Sequence, residues 1–241
     1  MNDEPYRWLE AIANRREYVR EHLKFGSPVF AVSLDVGILL LGVGDGSTKV
    51  FEIHDRHAMA GLGHPADIER VRQIAIDAAH VEAFTRDTQD VSLRRLVGFG
   101  LGPQFKQNFE QLSTAPILGE FLFAELAPQR DQDVLARLNF DGTFSMRLSG
   151  IAVAAPSAEA ESQALAWLTQ YLSPGSDVRT AGRLLLECWD RLVRESTFVE
   201  GPGLSGSPEA VLGGKRLELA LLRRGTGLRA RYSALEPTAL N

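Results

Sequence analysis

Strand and helix patterns come in alternating blocks along this 241-residue chain, and the order of the blocks narrows its fold sharply. Residues 6–24 carry Trp8, Ile12, Tyr18, Val19 and Leu23 at helical spacing, and Gly26 and Pro28 stop the pattern. Val29–Leu34 then reads as a β-branched strand, Asp35-Val36-Gly37 as a turn, and 38–43 as a continuous apolar strand. Strands so close in sequence predict a hairpin. Residues 42–46 read as a loop. Two more short strands, 49–53 and 57–62, flank an Asp55-Arg56 turn.

Residues 65–83 place Ile68, Val71, Ile74, Ala75 and Ala78 three and four apart, with Asp67 and Glu69 where acids favour a helix start. A third helix is expected over 90–109, capped by Asp90 and kinked where Gly98, Gly100, Gly102 and Pro103 fall. Strands return at 117–126, 134–140 and 144–153, the last two joined by a tight Asp141-Gly142 turn. Helices over 158–171 and 177–194 follow, broken at Pro174-Gly175. A Gly/Pro/Ser-rich loop (200–214) leads to a strand at 216–223, a Gly225-Thr226-Gly227 turn and a strand at 228–232. Strand blocks alternating with helix pairs predict an α/β (α+β) chain built as a four-layer αββα sandwich of two antiparallel sheets. The expected organisation is one domain over 1–241: an N-terminal helix (6–24), a core (28–232) and a loose tail (233–241).

Composition sets limits on function. A formal net charge of −5 gives no basis for binding nucleic acid or an anionic membrane. No stretch reaches the roughly 18 apolar residues of a membrane span, and residues 1–18 lack the apolar core of a secretory signal. The single cysteine, Cys188, excludes an intrachain disulfide framework and fits a reducing cytoplasm, where the protein is expected. A core thiol is the expectation for it.

Three motif lookalikes carry no chemistry. Residues 42–49 (GVGDGSTK) resemble a phosphate loop, but the Lys follows Ser-Thr and a strand comes next, so no helix N-terminus faces a phosphate. His54, His57 and His64 lie near one another in sequence but not on one helix face, and no cysteine is near, so no metal and no cofactor are expected. Arg15-Arg16 and Arg223-Arg224 read as solvated surface charges.

Several runs, taken in order, are specific. Arg16-Glu17-Tyr18-Val19, Lys24-Phe25-Gly26-Ser27 and the hairpin through 29–41 are similar to the opening of proteasome α-type subunits. Residues 48–53 with Asp55-Arg56, then 60–63 with Ala66-Asp67, resemble the strand and helix entrance that follow in that family. Residues 138–142 resemble its later hairpin, and 216–221 the closing strand of bacterial α subunits. The likeness runs from about residue 6 to 232.

The resemblance implies the N-terminal-nucleophile hydrolase fold and a non-catalytic component of a threonine-type endopeptidase complex. Such a chain forms a homo-oligomeric outer ring, heptameric in the family, that gates entry of unfolded protein substrates. Its partners would be a catalytic β-type subunit and the C-termini of an ATPase activator. By the same resemblance Lys49 receives the activator's carboxylate in a pocket between subunits, with Glu17, Gly26 and His64 around it. His64 departs from the family's usual apolar residue. The gate motif of archaeal members is not visible in residues 1–5.

A second reading is a catalytic peptidase. Ser27 matches the family's nucleophile, so cleavage at Gly26–Ser27 would free its hydroxyl and amine, with Lys49 as the lysine of the catalytic set. Against this stand the uncleaved Gly-Ser of α-type members, the rigid Pro28, and Val43, which occupies the place of an aspartate in catalytic β-type members. A third reading is a ring scaffold without a peptidase partner.

Overall fold

A computed structural model describes residues 4–194, 198, 201–203, 206–225 and 230–240. In chain order its strands are β1 (Val29–Leu34), β2 (Gly37–Gly44), β3 (Val50–His54), β4 (His57–Gly63), β5 (Gly119–Glu125), β6 (Val134–Leu138), β7 (Phe144–Leu148), β8 (Ile151–Ala154), β9 (Arg216–Arg223) and β10 (Tyr232–Leu235). The helices are α1 (Glu4–Leu23), α2 (Pro65–Thr85), α3 (Gly102–Glu110), α4 (Ala158–Tyr171), α5 (Val178–Val193) and α6 (Pro208–Leu212). Among the described residues the strands form two sheets, ordered β10-β9-β2-β1-β8 and β3-β4-β5-β6-β7. The pairings within both are antiparallel.

The two-residue period of a strand distributes the side chains into three apolar layers. Phe30, Val32 and Leu34 of β1 and Leu39, Leu41 and Val43 of β2 pack with Trp167 of α4 and Leu185 and Trp189 of α5. Their alternates, Val29, Ala31, Ile38 and Leu40, meet Ala58, Ala60, Leu122 and Ala124 of the second sheet. Met59, Phe121 and Phe123 turn outward and pack with Val71 and Ala75 of α2 and Phe105 of α3. This is the four-layer αββα sandwich, and β1 and β2, apolar apart from Ser33, are buried on both faces.

Caps fall where the side chains allow them. Ser157 accepts from the Ala160 amide at the start of α4, and Asp177 from Thr180 at the start of α5. The Asp141-Gly142 turn closes β6–β7, with Gly142 at φ 82°.

The expected strand over 144–153 is two strands in different sheets. Ser149 (φ 58°) and Gly150 (φ 89°) take left-handed backbone, so the chain turns from β7 at the edge of one sheet into β8 at the edge of the other. Leu148 and Ile151 flank that turn and mask it in the apolar pattern. The expected helix over 90–109 begins later: Asp90 lies in a 3-10 turn capped by Asp87, and residues 94–101 wind as a π-helix before α3. Gly98 and Gly100 lie within this π-helical stretch and Gly102 just after it, and the ring of Phe144 lies against Gly98 and Gly102. Gly44, expected in a loop, extends β2 past residues 42 and 43. The loop near 200–214 contains α6, capped by Ser207.

Of the turn expected at 225–227 and the strand expected at 228–232, residues 226–229 lie outside the described residues, while 230 and 231 are not strand. The observed strand is β10, paired with β9. The expected loose tail is anchored: Leu240 is fully buried against Gly182 of α5, and Arg183 donates to its carbonyl at 3.1 Å. Burial of such a side chain contributes about 1.5–3 kcal/mol.

Both arginine doublets, expected as solvated, hold elements together. Arg15 donates to the carbonyls of Asn108 (3.0 Å) and Thr114 (2.7 Å), and Arg16 pairs with Asp141 at 3.1 Å, fixing α1 across the end of α3 and the β6–β7 turn. Arg224, just past β9, makes a bidentate pair with Asp133 at 3.0 and 2.7 Å. It also donates to the carbonyls of Leu34, Asp35 and Ala127. Asp133 is fully buried and takes the Ala127 amide as well.

Breaking this pair takes the carboxylate from a guanidinium that is mostly screened from water. Asp133→Ala is expected to cost about 3–5 kcal/mol in chemical denaturation. A loss below about 1 kcal/mol would place the pair with ordinary surface salt bridges.

Candidate functional site

Lys49 lies just before β3, at the mouth of the gap between the sheets. It is 6% exposed, unusual for a lysine. Its stem crosses two residues of β2 that have no side chain. A Cβ on Gly42 would sit 3.2 Å from Lys49 Cβ, and one on Gly44 would sit 3.1 Å from Lys49 Cε. The glycines of the phosphate-loop lookalike thus form a trough for a lysine. Val43, between them, is fully buried in the apolar layer beneath α4 and α5. Alternation along the strand turns its side chain away from Lys49, so position 43 does not address the lysine.

Glu218 of β9 fixes the start of β3. Its Oε2 accepts from the backbone amides of Lys49 (2.8 Å) and Val50 (3.0 Å). Asp45 and Lys215 pair at 2.9 Å on the rim, and Tyr232 donates its hydroxyl to the Val50 carbonyl at 3.3 Å. Burial pushes the Lys49 ammonium below the usual lysine range; Glu218 and Asp45 oppose that shift and Lys215 adds to it. Burial likewise raises the Tyr232 phenol to about 12, so it stays a donor. Among the described residues no side-chain hydrogen bond or ion pair occupies Lys49.

The other expected pocket residues are only partly gathered there. The Lys49 carbonyl accepts from the Gly61 amide at 2.9 Å, and the next residue, Leu62, packs so close to Gly26 that a Cβ there would lie 2.7 Å from it. His64 follows two residues later, exposed, and caps α2 by accepting the Ala66 amide at 3.2 Å. Lys49, Gly26 and His64 thus share one end of the sandwich. Glu17 is exposed on α1, with no hydrogen bond or ion pair to any of the three.

Ser27 is elsewhere. Its Oγ accepts the indole N–H of Trp189 at 2.8 Å. It lines a cleft of about 810 Å³ with Lys24, Gly26, Pro28, Trp189 and Lys215; Lys49 itself does not line it. Cys188, beside Trp189 on α5, is fully buried, and burial drives its thiol pKa far up, as an inert core thiol requires.

Of His54, His57 and His64, the last makes no ring contact with the others among the described residues. His54 neighbours His57 and His80, with ring centroids 6.1 and 5.8 Å away. Among the described residues no three His, Cys, Asp or Glu side chains are placed to hold a metal ion, and no helix is long and apolar enough to cross a membrane.

Glu218, Gly42 and Gly44 escaped sequence reasoning. Glu218 is 169 residues from the amide it holds, and its only local signal is an acid inside an otherwise apolar strand.

No family model matches the chain. It is 27% identical over 236 residues, 96% of this chain and 91% of the relative, to "Proteasome subunit alpha" of Frankia alni. It is 26% identical over 220 residues, 89% and 85% of the two chains, to the protein of that name from Frankia casuarinae. Over 149 residues, 60% of each chain, it is 30% identical to that from Renibacterium salmoninarum. The likeness first seen in scattered motifs thus holds from end to end: this chain resembles the proteasome alpha subunits of actinobacteria in sequence and shares the layered fold expected of them.

Proposed function

We propose that this chain is a non-catalytic α-type ring subunit of a proteasome-like complex. In this reading it forms a homo-oligomeric ring, heptameric as in the family, that caps a catalytic β-type ring and gates the passage of unfolded proteins. The complex works in the cytoplasm.

The observation that carries the reading is the partner that Ser27 Oγ takes. A hydroxyl nucleophile needs a base or a charged neighbour that lowers its pKa. Ser27 Oγ instead accepts a bond from an indole, a group with no basic nitrogen to offer. The lysine that would assist it lies along the glycine trough and does not line its cleft. The end-to-end similarity to proteins named as alpha subunits supports the same reading.

Lys49 then has a different task. An ammonium held at the mouth of the sandwich, without a side-chain partner of its own, suits a carboxylate delivered from outside. The C-terminus of an ATPase activator supplies that group, with Gly26 and His64 beside it and Glu17 contributed from the exposed face of α1.

Lys49→Ala should abolish activator-stimulated degradation by the reconstituted complex while ring assembly, read by particle sizing, is unchanged. Stimulation equal to wild type removes Lys49 from docking. Intact mass should show the chain uncleaved at Gly26–Ser27. Loss of the first 26 residues, together with labelling of Ser27 by a peptide epoxyketone, would establish the peptidase reading in its place.

A further inference from the structure

We infer that Glu218 is the positioning residue for Lys49: one carboxylate fixes the first backbone amides of β3 and supplies the counter-charge beside the buried ammonium. Its bearing on docking rests on the function proposed above.

The geometry assigns both roles to the same group. Glu218 is on β9 of one sheet, and the two amides it takes are at the start of β3 in the other. It pairs across the ladder with Gly42, and side chains of paired residues share a face of the sheet. Glu218 and the Lys49 stem therefore occupy the space left open by the missing side chain at 42. Any Cβ there would crowd Lys49 and Val50 together. The trough and the clamp together aim Lys49 along β2 toward the rim, where Asp45 and Lys215 pair.

The charged groups around Lys49 are few. From β9 comes Glu218, from the loop after β2 comes Asp45, and from the segment before β9 comes Lys215. Tyr232 of β10 stays neutral. Burial disfavours the ammonium, and the acids oppose it. An incoming carboxylate binds only the protonated lysine, so docking should fail as pH rises through the Lys49 pKa. Removing the Glu218 charge should bring that failure to lower pH.

Glu218→Gln separates charge from clamp, since an amide oxygen still accepts both backbone N–H groups. The test follows the 13Cε resonance of Lys49 against pH in the full-length chain, wild type and E218Q. The expected result is a Lys49 midpoint moved to lower pH by more than the titration error, with the melting temperature close to wild type. Glu218→Asp should restore part of the shift. A Lys49 titration in E218Q that coincides with wild type overturns the inference. The outcome is independent of docking: if Lys49→Ala leaves stimulated degradation intact while E218Q moves the titration, the docking reading fails and the placement of Glu218 stands.

Discussion

The stacking of the two sheets depends on how closely they can approach, and that distance is set by a seam of small side chains. Ala31, Ala58, Ala60, Ala124, Ala152, Ala154 and Ala220 all lie in the layer between the sheets. Larger residues at these places would force the sheets apart and open voids that a close-packed interior does not tolerate. A seam of this kind is apolar and nearly featureless, so it fixes spacing better than register. Register comes from polar ties at the two ends of β9. Glu218 reaches across to the amides that start β3, and Arg224 reaches across to Asp133 ahead of β6. Both ties are directional and at least partly screened from water, which strengthens them relative to surface pairs.

The fold was largely readable from local pattern. β1, α4 and β9 lie where apolar spacing and caps put them. What local pattern missed are events with a distant cause. The turn at Ser149–Gly150 separates two strands whose residues alternate much as one strand would. The π-helical stretch is covered by Phe144, which lies over Gly98 and over Gly102, 42 residues earlier in the chain. Leu240 looks like part of a frayed end until α5 supplies Gly182 as its seat. The arginine doublets carried no mark distinguishing a buried partner from water. For Arg224 that partner is Asp133, 91 residues away.

The candidate site shows the same division. Lys49 and Ser27 could be singled out by their place in a sequence pattern, but their relation to each other could not. The structure sends the serine toward the helical layer, where Trp189 holds it, and the lysine into the gap between the sheets. Position 43, which seemed to decide the chemistry by lacking an acid, turns out to point into hydrocarbon on the far side of its strand. The residues that set the state of Lys49 are instead a pair of glycines and an acid from the last third of the chain.

The strand order has a kinetic meaning. The first hairpin made, β1–β2, sits in the middle of its sheet, with β8 on one flank and β9 on the other. More than a hundred residues separate it from either neighbour. On a ribosome, therefore, the most water-averse stretch of the chain emerges early and waits bare-edged through most of translation. Long-range pairings of this sort close slowly and leave sticky surfaces exposed meanwhile. Until β8 and β9 are made, the two edges of that hairpin have no partner strand within the sheet, so closure of this sheet waits on the C-terminal half of the chain.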